Sequence, residues 1–314
     1  MDKKGFTKYL EGKGLASSTI TAYIKAVIWF LKHVQKEKTE ITKPDVLKYL
    51  EYLKNSRQQQ NITRKNRLIA LNHYFTFLYR DEQIAENPCL FLKIRGTKRK
   101  TLHKIYTPEE LEELFDNYYQ LFVRAYDDSH IPKNQRKQSA LSKERNALIL
   151  SVLIYQGVFP TETGTIELDD LDLMKATLKI RSSKKHNART LPLKAAQIGL
   201  FMRYLQDIRP KICEYHITES NKLFLPLPAF SKKSTDKDCL TDMFKRFAKQ
   251  IKTIDRQFTD FKQLRVSVIT YWIKTKGLRK TQYLAGHKWV SSTEDYLPND
   301  LDDLIDDISK LHPF

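Results

Sequence analysis

Apolar residues recur at helical spacing through the first third of the chain. Phe6, Tyr9 and Leu10 form a short stripe, and Ile20, Tyr23, Ile24, Val27, Ile28, Phe30 and Leu31 form a longer one after Ser17-Ser18-Thr19. Thr42-Lys-Pro44 opens a third helix, with proline suited to its first turn, and Val46, Leu47, Leu50 and Leu53 give its apolar face. A fourth starts near Asn61-Ile-Thr63 and carries Leu68, Leu71, Tyr74, Phe75 and Leu78. Four helices of this length predict a small bundle, closed by Asn87-Pro88. Residues 93–105 are basic and poor in apolar groups, the pattern of a linker.

The pattern then changes. Thr107-Pro108-Glu109-Glu110 supplies an N-cap, a first-turn proline and two acids that a helix dipole favours. Residues 127–142 are polar and predict a long loop, whereas 143–156 predict a buried apolar helix. Thr177–Arg181 and Arg189–Leu193 are β-rich, and the seven residues between them predict a hairpin. Helical spacing resumes over 195–208, 240–253, 260–275 and 279–285. Gly286 reads as the stop of the last of these, and Ser291 with Glu294 as a capping box opening a helix that carries Tyr296. Beyond it, Leu297, Leu301, Leu304, Ile305, Ile308 and Leu311 make one stripe, with Asp300, Asp302, Asp303, Asp306 and Asp307 mainly elsewhere. The expected fold is mainly α with a small antiparallel β-sheet, organised as 1–92, a linker over 93–105, a second domain over 106–296, and an acidic tail over 297–314.

Composition narrows the partner. The formal net charge is +18, which suits a polyanion, most simply nucleic acid. Residues 1–97 carry a net +9 and residues 294–314 a net −6, so the body is basic and the tail acidic. No apolar run reaches the roughly 18 residues of a membrane span. Three cysteines, widely spaced and without a CxxC, point to a reducing cytoplasmic setting and to no metal site.

Several side chains are candidates for phosphate chemistry. Lys262 and Arg265 sit one helical turn apart, where two cations gain little from each other and much from an anion. Lys184 occupies the hairpin turn, from which a flexible lysine reaches a DNA groove. His287 precedes Tyr296 by nine residues. Arg64, Lys65 and Arg67 near a helix start, with Lys98, Arg99 and Lys100 in the linker, are candidates for backbone contacts to DNA.

In this order and spacing, these boxes resemble the tyrosine recombinases of the phage integrase family. Leu284-Ala-Gly-His287 through Ser291-Ser-Thr293 to Tyr296 is similar to the family's Leu-Gly-His…Thr-Thr…Tyr box. Lys262-Gln-Leu-Arg265 resembles its His/Lys-x-Leu-Arg box, and Arg189-Thr-Leu-Pro-Leu193 the strand after its hairpin lysine. Phe6–Leu92 resembles its SAM-like core-binding bundle, so the likeness covers nearly the whole chain. The resemblance implies an α+β catalytic domain, double-stranded DNA as partner and assembly on it as a dimer to tetramer through the C-terminal segment. It also implies no metal or other cofactor and a nucleoid-associated prokaryotic enzyme. Tyr296 would attack a phosphodiester to give a 3′-phosphotyrosine; Arg265, Lys262 and His287 would hold the phosphate; Lys184 would protonate the leaving 5′-oxygen.

One position departs from the family. Its Gly-Leu-Arg-x-x-Glu reads Gly157-Val-Phe159-Pro-Thr-Glu162 here, so Phe159 stands where a catalytic arginine is expected. Losing such a donor costs on the order of 10²–10³ in rate. Arg181 is the first candidate to substitute, with Arg189 and Arg145 behind it. The alternatives to a recombinase are a DNA-binding accessory protein of this fold without catalysis and a type IB topoisomerase-like relaxing enzyme.

Overall fold

The structure is a computed structural model that describes residues 1–96, 104–184, 186–216, 218–227 and 236–297, without the side chains of 236–239. It divides into two compact units, Met1–Thr101 and Leu102–Phe314.

The first unit is built on α1 (Lys3–Gly12), α2 (Ser17–Val34), α3 (Lys43–Asn55) and α4 (Asn61–Arg80). The stripes expected from the sequence meet in its core: Phe6, Leu10, Val27, Phe30, Leu71 and Phe75 are fully buried. Asn87 closes the unit through its side chain, which donates to Asn72 Oδ1 at 2.9 Å and to Thr76 Oγ1 at 3.0 Å and accepts from the Cys89 amide at 2.8 Å. One asparagine therefore stitches the exit turn to α4 with both ends of its amide.

The second unit begins with α5 (Pro108–Tyr118), where Thr107 is the expected N-cap and Glu110 reciprocates it, at 3.2 and 2.9 Å. Its centre is α6 (Lys133–Gln156), with Ala147 through Leu153 all buried. Here the sequence expectation needs correction. Residues 133–142 are helical, not loop, because Lys, Gln, Arg, Ala and Leu after Pro132 are good helix formers and the apolar pattern marks only the buried end. After the short α7 (Pro160–Thr163) comes a three-stranded antiparallel sheet of β1 (Leu171–Asp172), β2 (Thr177–Ile180) and β3 (Arg189–Pro192). The hairpin register pairs Ile180 with Arg189 and Thr177 with Pro192. β1 is too short to have left a periodic signal.

Helices α8 (Ala195–Arg203), α9 (Arg209–Cys213), α10 (Asp236–Ile254), α11 (Phe261–Lys276), α12 (Leu278–Ala285) and α13 (Ser291–Glu294) complete the unit. A second correction falls at its end. α13 is a single turn capped by Val290 without a side-chain bond, so Ser291 is not the cap, and Tyr296 lies in the turn just beyond. The acidic stripe over 298–314 lies outside the described residues. Among those residues no helix is long and apolar enough to cross a membrane.

Candidate active site

Helix α11 places Arg265. The Asp260 carboxylate caps the helix by accepting from the Lys262 and Gln263 amides at 2.9 and 3.2 Å. Buried Gln263 pins the same turn, accepting from the Thr259 amide at 2.8 Å and donating to the Lys104 carbonyl at 3.1 Å. One turn on, Arg265 is 1% exposed. It donates to the carbonyl of Gly157, which closes α6, and to that of Ala285, the last residue of α12, at 2.7 Å. Both acceptors are helix-end carbonyls without an intrahelical partner, at the negative ends of two helix dipoles. Two helix C-termini thus converge on one guanidinium. Burial lowers the Arg265 pKa to about 10, with Glu162 and the Tyr296 hydroxyl among the groups opposing the shift, so the side chain stays cationic at neutral pH.

Gly286 sets the next residue. Its φ of +69° lies in the left-handed region that ends α12, and an added Cβ would meet Arg189 Nη1 at 2.5 Å. The turn buries His287, whose Nε2 lies 3.3 Å from Arg265 Nη2 and whose Nδ1 lies 2.8 Å from Thr293 Oγ1. Arginine can only donate, so Nε2 must accept; the proton then sits on Nδ1 and is donated to the threonine. Burial, and then the neighbouring Arg265, His186 and Arg189, push the His287 pKa down to about 4. The imidazole is neutral at pH 7. The half-buried Tyr296 ring stacks on it, with centroids 5.7 Å apart at 19°. Its turn is fixed by the Tyr296 amide donating to the Thr293 carbonyl at 3.1 Å.

Beneath this group lies a buried ion pair. Arg189 on β3 donates to both Glu162 oxygens at 2.8 and 2.9 Å, and the Phe159 amide donates to the same carboxylate at 2.8 Å. Burial opposes ionisation of Glu162, but Arg189 and the Phe159 amide outweigh it and hold the carboxyl below its usual range. Arg265 Nη1 approaches the same carboxylate at 3.8 Å. Among the described residues this cluster contains Arg265 and Arg189 against Glu162, with His287 neutral, an excess of one positive charge. Among the described residues, the buried Nε of Arg265 and of Arg189 find no hydrogen-bond partner. An uncompensated buried cation with spare donors is costly unless an anion joins it.

Phe159 is part of the cluster. The Arg265 guanidinium carbon sits 4.0 Å from its ring centre, and the His186 ring is 5.1 Å away on the hairpin. The hairpin end is tied to the histidine turn: His186 and His287 form a β-bridge, and the Asn187 amide donates to the Gly286 carbonyl at 2.9 Å. Lys288 Nζ also donates to the Lys184 carbonyl at 3.0 Å.

The structure therefore brings Arg265, His287 and Tyr296 together, with the Lys184 backbone tied alongside. Lys184 and Lys262 have exposed side chains. Arg181 is not brought to the cluster. Its guanidinium is held by Glu167 at 2.7 Å and Asp170 at 2.8 Å, two carboxylates that neutralise it at the sheet margin. Arg145 is buried elsewhere, donating to the Leu225 carbonyl at 2.9 Å and to Asn146. Arg189 is the candidate that shares a carboxylate with Arg265. Glu162 and Thr293 were visible in the sequence only as members of their boxes, and His186 sits in a turn with no periodic signal.

In the first unit, Arg64 is half-buried and donates to the Leu50 carbonyl at 3.1 Å and to Asn61 at 3.1 Å, joining α3 to α4. Arg67 stacks on the exposed Trp29 ring at 4.7 Å, and Lys65 is exposed. Lys98, Arg99 and Lys100 lie outside the described residues. Among the described residues no group of three or more His, Cys, Asp or Glu side chains is placed to hold a metal.

Comparison with known proteins agrees with this architecture. Residues 4–84 match the phage integrase N-terminal SAM-like domain, and residues 129–301 match the phage integrase family. The tyrosine recombinase XerC of Anoxybacillus flavithermus is 25% identical over 299 residues, spanning 93% of this chain and 90% of that protein. The XerH site-specific recombinase, in a post-cleavage complex with a palindromic difH substrate, has the same fold. Its TM-score is 0.65 at 19% identity, over 92% of this chain and 79% of that one. So does the lambda integrase (75–356) dimer bound to a COC′ core site, at a TM-score of 0.62 and 13% identity, over 93% of this chain and 92% of that one. With both family matches falling on the units that the sequence pattern separates, the chain belongs to the phage integrase family.

Proposed function

We propose that the chain is a site-specific tyrosine recombinase that cleaves and rejoins duplex DNA with Tyr296 as nucleophile. The carrying observation is the stack of Tyr296 on His287, itself bonded to Arg265, in a buried cluster with one excess positive charge. In the forward step the Tyr296 oxygen bonds to phosphorus and the bond from phosphorus to the 5′-oxygen breaks. The products are a 3′-phosphotyrosine and a 5′-hydroxyl, and the bond energy is kept for the reverse attack by a 5′-hydroxyl of a partner duplex. Arg265 and Lys262 take the charge that develops on the phosphate oxygens. In the Nδ1–H tautomer of His287 the one ring acceptor, Nε2, is engaged by Arg265 at 3.3 Å, so His287 receives the phenolic proton by exchanging that contact. Lys184 supplies the proton to the leaving oxygen.

Arg67 and Lys65 serve the duplex through its phosphates, whereas the bonds of Arg64 support a share in holding α3 to α4. The C-terminal segment joins protomers on DNA, and such work places the protein at the nucleoid in the cytoplasm. A second reading, a DNA-binding protein that does not cleave, is favoured by Phe159 alone.

The test uses a duplex selected by the protein from a random library, nicked beside the cleavage position so that the reaction is trapped. A covalent adduct that is lost in Tyr296→Phe supports the recombinase. Tight, site-specific binding without any adduct supports the non-cleaving reading.

A further inference from the structure

We propose that His186 is a further phosphate-contacting residue of this site, supplying the hydrogen-bond donor that Phe159 cannot. The inference deepens the cleavage reading and rests on it.

Three observations converge. First, the residue standing at the family's arginine position is in ring contact with His186, at 5.1 Å between centroids and 38° between planes. Second, His186 is fixed there by backbone. It forms the β-bridge to His287, its amide donates to Ser183 Oγ at 3.0 Å, and its carbonyl accepts from the Ser183 amide at 2.8 Å. The ring stands 6.3 Å from that of His287. Third, the two buried arginines of the cluster have their Nη groups engaged, which leaves each only its Nε spare. Arg265 spends donors on Gly157, Ala285 and His287, and Arg189 spends both Nη groups on Glu162. His287 presents Nε2 as an acceptor.

An imidazole carries an N–H in either charge state and a second one when protonated. It can therefore donate to a non-bridging phosphate oxygen, which a phenyl ring cannot. The charged and titratable groups of the surrounding elements are Arg265 from α11, Arg189 and Glu162 of the buried pair, His287, Lys288 and Tyr296 from the turn after α12, and Lys184 from the hairpin itself. Most are cationic, so a phosphate entering here meets one more donor in an already positive field. Phe159 then has a positioning part, with Arg265 against its ring and His186 beside it.

The test compares cleavage of the natural linkage with a methylphosphonate at the same position, which lacks one charged oxygen. At saturating protein, His186→Ala should cleave the phosphodiester on the order of 10²-fold more slowly than the wild type. On the methylphosphonate the two proteins should differ by no more than a few-fold. His186→Gln keeps one N–H and should fall between. Equal slowing on both substrates, or no slowing, overturns the proposal.

A second measurement separates this from failure of the cleavage reading. In the full chain labelled at histidine nitrogens, inorganic phosphate should shift the His186 imidazole resonances whether or not any DNA is cleaved. Unmoved His186 signals overturn the inference, whereas a wild-type protein that never forms an adduct overturns only the cleavage reading.

Discussion

At the scale of single residues, the site is governed by which donors and acceptors are already engaged. Burial, and then Arg265, keep the His287 imidazole neutral, and because arginine cannot accept, their 3.3 Å contact fixes its tautomer. This has a consequence for stability. The His287 pKa falls from the ordinary 6.5 to about 4 on folding, so the folded state prefers the neutral ring. Its contribution is complete above pH 6.5 and is lost as pH falls through 4, amounting to about 3 kcal/mol at most. Urea unfolding from pH 7 to 4 should show the wild type losing more stability than His287→Gln, and parallel curves would contradict the assignment. The sequence revealed His287 and Tyr296 by their spacing. It did not reveal the tautomer, because Thr293 and Arg265 set it through contacts across 6 and 22 positions.

At the scale of elements, helix ends do the positioning. Gly286 was legible as a stop; Gly157, not singled out as one from the sequence, closes α6 with the same left-handed φ. That the carbonyls of Gly157 and Ala285 face one guanidinium was not legible, because the meeting depends on how α6, α11 and α12 pack. The ten mainly polar residues that begin α6 were misread for a related reason: periodicity reports burial, and a largely exposed helical turn has little. Gly286→Ala should test the positioning. It adds the strain of a left-handed alanine to a close approach on Arg189, and should destabilise by about 2 kcal/mol. Gly199→Ala in α8, where an added Cβ meets nothing within 4 Å, should instead stabilise by roughly 0.5–1 kcal/mol. Thermal melting of the two variants decides this, and similar losses in both would count against a special role for Gly286.

At the scale of the whole molecule, charge is the readable quantity. The net +18 predicts DNA binding that weakens steeply with salt, by roughly 10²–10³ between about 50 and 200 mM, as counterions released on binding are returned. A titration of duplex binding against salt measures the slope, and a flat response would remove nucleic acid as the partner. The division into a bundle and a catalytic unit was also legible, since the apolar stripes stop before residue 93 and restart at Thr107. What joins the two sides of the catalytic centre was not. The His186–His287 bridge, the Asn187–Gly286 bond and the Lys288–Lys184 bond link the hairpin to the turn that leads through Thr293 to Tyr296. On the proposed reading, the turn of the nucleophile and the loop of the general acid are therefore tied to each other by these bonds. Under that reading, a protomer whose histidine turn is out of place would lack its proton donor as well as its nucleophile.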